Sequence, residues 1–172
     1  KLKPMSNDPA FTPPPSNSNT RVPPHNVDAE ASLLGAMLLS RDAIGPAVET
    51  LNGDQFYVPA HGYIFDAIAS LYGAGEPADP VTVAEELTRA NLLEQVGGPQ
   101  RLLELQMATP AASNAARYAT IVEEHALLRR LIGVAGDIVE LGYSHPEDVV
   151  KTVDEAEAMM FQIAERRVID ST

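Results

Sequence analysis

The chain has 172 residues, enough for one domain or for two small ones sharing an interface. Its 24 acidic residues outweigh 12 basic ones, and lysine occurs only at positions 1, 3 and 151, so the phosphate-neutralising density that nucleic-acid binding needs is missing. The absence of cysteine excludes disulfides, zinc thiolates and thiol nucleophiles, and no apolar run reaches the roughly 18 residues of a membrane span.

With four phenylalanines, five tyrosines and no tryptophan in an alanine- and leucine-rich background, helix is favoured over sheet, and an all-α fold is expected. The N-terminus lacks the apolar core of a signal peptide, which makes a soluble cytoplasmic protein the simplest expectation. Residues 1–25 hold seven of the 14 prolines, as in FTPPPSNSNT. Such a stretch buries too little apolar surface to offset its ordering entropy, and a disordered or extended arm is predicted. Lys1–Pro4, ahead of Met5, reads as an expression remnant.

From Asn26 the pattern turns helical. Val27, Ala31, Leu34 and Leu38 share one helix face, widened by Leu33 and Met37, with Asn26 or Asp28 as N-cap. Gly35 in mid-helix implies a close backbone neighbour. A short helix broken or begun at Pro46 follows, then a turn at Asn52 and Gly53. A helix from near Pro59 carries Ile64, Ile68, Leu71 and Tyr72 on one face. Beyond the GAGEPADP loop, Thr82 and Glu85 have capping-box spacing, and Val83 and Leu87 point inward. One more short helix opens at Pro99. Helices this short need tertiary packing, so residues 26–112 are predicted to form a compact multi-helix head.

After Pro110 the organisation changes. Tyr118, His125, Ile132 and Val139 recur every seven residues, and Ile121, Leu128, Ala135 and Gly142 repeat three places later, along one helix of roughly residues 114–142. GYSHPED breaks it, with Ser144 and Glu147 at capping spacing. Val149, Val153, Ala156, Met160 and Ile163 then resume the pattern. Residues 113–168 are therefore expected to form a long antiparallel helical hairpin, followed at 169–172 by the start of a linker. Val122, Leu131, Ile138 and Phe161 add apolar surface off the repeat, which calls for a partner, either the head or another subunit.

The chemistry-bearing residues are sparse. His25, Asp28 and Glu30 surround a helix start and are expected to splay apart, with capping favoured over metal or acid/base work. His61 reads as a packed or capping histidine, and His125 as a polar residue in the apolar repeat. The competing reading, a small metal-dependent hydrolase, would use His25, Asp28, Glu30 and His61. There is no GxxxxGK[ST] loop and no nucleophile elbow. Arg129-Arg130 and Arg166-Arg167 read as helix-terminal charge and salt-bridge partners; a nucleic-acid-binding module acting through them is the weaker alternative.

Taken in order, PPHNVDAEASLLGAMLL, GDQFYVPAHGYIFDAIASLY, DPVTVAEELTRANLLEQVGG and ATPAASNAARYATIVEEHALLRRLI resemble the N-terminal domain of the bacterial replicative DNA helicase of the DnaB type, over about residues 22–167. That resemblance implies a helical head and hairpin followed by a linker helix and a RecA-like motor. It thus implies a non-enzymatic fragment, with ATP and Mg2+ used only in a C-terminal motor domain beyond Thr172. It further implies self-association, as a dimer or as a trimer of dimers within a hexamer. Docking of the primase C-terminal domain, a response to a helicase loader and contact with single-stranded DNA mainly through the motor follow from it as well. Pro46 and the proline-rich arm depart from the family pattern. From the heptad spacing, the interface candidates are Tyr118, Ile121, His125, Leu128, Ile132, Ala135 and Val139, with Val153 and Met160 on the second helix. A stand-alone helical interaction scaffold is the alternative that the residues leave open.

Overall fold

A computed structural model describes residues 21–169. The arm expected over residues 1–25 lies outside the described residues as far as Thr20, as does the expected linker beyond Ile169, and the side chains of Arg166 and Arg167 fall outside them too. Seven α-helices and three 3-10 turns, with no strand among the described residues, make the fold all-α.

The first helix, α1 (Val27–Leu39), is capped by Asn26, whose side-chain Oδ1 accepts from the Ala29 amide at 2.9 Å. It is the axis of the head. The helix α3 (Pro59–Gly73), the helix α5 (Gly98–Ala108) and the start of α6 (Ala115–Tyr143) all pack against it. Its burial therefore runs unbroken from Leu33 to Leu38 instead of following the single stripe expected from spacing. A helix surrounded by others has no solvent face to keep polar. Val27, placed on the inner face by periodicity, is exposed because it lies at the helix entry. Gly35 meets the Leu105 carbonyl and the Thr109 hydroxyl of the α5 end so closely that a Cβ would collide with both, the close approach its position implied.

Around this axis, α2 (Ile44–Thr50) carries Pro46 in its first turn, where a missing N–H breaks no helical bond, so the helix is not interrupted there. α3 buries Ile64, Phe65, Ile68 and Leu71. The α4 helix (Pro80–Arg89) turns Val83 and Leu87 inward, as expected, but its cap is not the Thr82 and Glu85 pair. Asp79 accepts from the amides of Val81 and Thr82, and the Thr82 hydroxyl oxygen accepts from the Asp79 amide. Pro80 at the first helical position moves the start three residues ahead of the sequence reading.

The hairpin grows out of the head and is not appended to it. Ala115, Ala119 and Val122 of α6 are core residues, with Tyr118 and Ile121 packed on the core edge. For Val122, whose apolar surface was expected to meet either the head or another subunit, the partner is the head. The return helix α7 (Val149–Ile169) packs on α6. Its start is set by Asp148, whose carboxylate accepts from the Lys151 amide at 3.0 Å, and not by Ser144, which bonds back to the Leu141 carbonyl.

Candidate functional site

The less exposed positions of the distal hairpin are Val134, Ile138 and Leu141 on α6, and Thr152, Ala156, Met159 and Ile163 on α7. These stripes run along the contact between the two helices. The heptad residues are distributed differently. Tyr118, Ile121 and His125 are half-buried at the root, His125 donating through Nδ1 to its own helix's Ile121 carbonyl at 2.7 Å. Leu128, Ile132 and Val139 stand 47%, 57% and 47% exposed, with Ala135 open beside them, and Val153 and Met160 on α7 are 59% and 42% exposed.

Leu128, Ile132, Ala135 and Val139 fall at i, i+4, i+7 and i+11, so they form one continuous outward row. Leu131 borders it at 41%. Such a row in water is unfavourable by about 25 cal/mol per Å2 of apolar area, and folded domains seldom leave a contiguous apolar strip uncovered without use. What it can do chemically is exclude water against a complementary apolar surface.

At the hairpin's root, side chains that look unrelated in sequence meet. Glu30 is 1% exposed and His61 2%. The Glu30 carboxylate accepts from the Tyr57 amide at 2.8 Å, the Val58 amide at 3.2 Å and His61 Nδ1 at 2.9 Å. It therefore serves the start of α3 across space and not the turn in which it sits. Burial pushes its carboxyl upward, but the His61 bond, the two amides and the His61 charge outweigh that, and the pKa is lowered. Arg101 of α5 approaches the far side of His61, at 3.4 Å from Nε2.

Tyr57 leads from this node to the hairpin. His25 stacks on its ring with centroids 4.0 Å apart, and the Arg129 guanidinium stands over the ring at 5.7 Å. Arg129 also donates to the Pro24 carbonyl at 2.7 Å and to the Gln55 carbonyl at 2.6 Å. Pro24 and His25, at the end of the arm expected to be disordered or extended, are thus held against α6 and the head.

Of the four side chains of the hydrolase reading, Glu30 and His61 come together, His25 is engaged with Tyr57 and Asp28 is exposed. No group of three or more histidine, aspartate or glutamate side chains lies close enough to hold a metal among the described residues. A cleft of about 310 Å3 beside Leu38, Arg41 and Asp79, and another of about 390 Å3 beside Asp42, Pro46 and Ala115, are lined by no histidine. Sequence reasoning missed Tyr57 and Arg101, and it read Arg129 as a helix-terminal charge or salt-bridge partner, whereas it lies within α6 and bonds two carbonyls. The only available signal was the arginine pair Arg129-Arg130 set between the apolar Leu128 and Leu131.

Sequence comparison matches residues 22–124 to the DnaB-like helicase N terminal domain family. The chain is 48% identical over 160 residues to the replicative DNA helicase DnaB of Mycobacterium leprae, covering 92% of this chain and 26% of that protein. It is 42% identical over 149 residues to the replicative DNA helicase DnaC of Bacillus subtilis, covering 87% and 33%. It spans about a quarter to a third of the length of such relatives. Among solved structures, the crystal structure of the N-terminal domain of DnaB helicase from Mycobacterium tuberculosis is similar, at 49% identity and a TM-score of 0.78, over 82% of this chain and 99% of that one. A DnaB-like replicative helicase, described together with its interactions with primase, shares the fold at 24% identity and a TM-score of 0.67, over 81% and 31%. No described helix is long and apolar enough to cross a membrane. The chain belongs to the DnaB-like helicase N-terminal domain family.

Proposed function

We propose that this chain acts as the N-terminal collar of a hexameric replicative helicase in the cytoplasm, a scaffold and docking element without catalytic chemistry of its own. Residues 26–112 serve as the head and 113–168 as the hairpin. The observation that carries this reading is the outward row Leu128, Ile132, Ala135 and Val139, with Val153 and Met160 beside it, on a domain whose core is already complete without them. Apolar surface of this extent fits a protein partner better than a small ligand.

The first occupant is a second copy of the chain, giving dimers that build into a trimer of dimers. The second is the primase C-terminal domain, with which a protein of the same fold is described as interacting. A helicase loader would act through the assembled collar. ATP, Mg2+ and single-stranded DNA belong to a motor domain such as the longer relatives carry. Sedimentation of the chain across a concentration series, repeated with a primase C-terminal domain, tests the reading. Self-association or co-sedimentation supports it, and a strict monomer that ignores primase overturns it.

A further inference from the structure

Two further features of α6 mark where the helix leaves the head. The first is the Arg129 grip, which fastens α6 to the head seven residues beyond Val122, the last core residue of the helix. One guanidinium bridges the Pro24 and Gln55 carbonyls, from segments far apart in the chain, while facing the Tyr57 ring. A planar fork can do this where a single ammonium cannot.

The second is the pair Gly133 and Gly136, one turn farther on. Both are exposed, and a Cβ at either would meet nothing within 4 Å. Gly35 and Gly62 need to be glycine because a neighbouring carbonyl occupies the Cβ position. Gly133 and Gly136 have no such reason, yet each weakens an exposed helix interior relative to alanine. Weak points of this kind are where long helices bend.

We propose that Gly133 and Gly136 form a hinge about which the distal hairpin swings as a unit, while Arg129 holds the root of α6 rigid against the head. The return helix can follow. It leans on α6 through Thr152, Ala156 and Met159, and the small alanine and adaptable methionine let it shift along its neighbour as the angle changes. The swing would set the direction in which the outward row faces, independently of what docks there.

The absence of cysteine allows spin labels to be placed at will in the whole 172-residue chain. Labels at Ser70 and Glu124 span head and root, and labels at Ser70 and Glu147 span head and hairpin tip. All three positions are exposed. Labelled protein diluted into unlabelled protein isolates distances within one chain. The root pair is expected to give a narrow distance distribution and the tip pair a broad one. Gly133→Ala with Gly136→Ala should narrow the tip distribution several-fold without moving the root pair. Arg129→Ala and Arg129→Lys should both broaden the root pair. A tip distribution as narrow as the root pair in the parent chain would overturn the hinge. So would a double alanine variant that leaves the tip distribution unchanged but abolishes self-association, since the glycines would then be a contact with a second copy.

Discussion

Glu30 sits where a helix-start carboxylate usually serves its own first turn, but it is turned inward to receive two amides and an imidazole from α3. Removing it leaves a buried imidazole and two part-buried amides unpaired. Glu30→Ala is expected to cost about 3 kcal/mol in urea unfolding. In a double-mutant cycle with His61→Ala, the two losses should fall short of additive, because the residues share one bond. The lowered Glu30 pKa fixes the sign of its pH effect. Its contribution is complete above the ordinary glutamate value of about 4.3 and is lost as pH falls through the lower folded value. The parent chain should therefore lose stability below that pH more steeply than Glu30→Ala, as followed by circular dichroism across an acid series. An apolar-to-polar sequence pattern gives the helix but not which carboxylate turns in, and for that reason the Glu30, His61 and Tyr57 meeting was not legible from spacing.

The helices themselves were largely readable, since most have an apolar stripe and a side-chain cap or a proline in the first turn, α6 being the exception. What spacing could not decide was the choice among adjacent stripes. α6 is apolar on several sides, so a seven-residue repeat fits more than one face, and packing selects Val134, Ile138 and Leu141 for α7 while leaving Ile132 and Val139 outside. Capping was misread at α4 because two candidate boxes overlap and Pro80 settles the start. Asp79→Ala should cost about 1 kcal/mol in thermal or urea unfolding, and Asp79→Asn should recover most of it. At the α1 and α5 crossing, Gly35→Ala would drive a methyl group into the Leu105 carbonyl. The alanine gain in helix propensity of about 1 kcal/mol is outweighed by overpacking of roughly 1–3 kcal/mol, and net destabilisation is expected in the same assay.

At the scale of the whole molecule, head and hairpin are joined by the first turns of α6 and by the Arg129 grip, and the head's core closes without the outward row. Substituting that row should therefore leave the fold intact and change only association. Sedimentation velocity on the parent chain and on Ile132→Asp with Val139→Asp, with circular dichroism as the check on folding, tests this most directly. The predicted result is concentration-dependent association of the parent, and loss of that association in an equally helical variant. A variant that associates as strongly as the parent would contradict the assignment of that row as the interface.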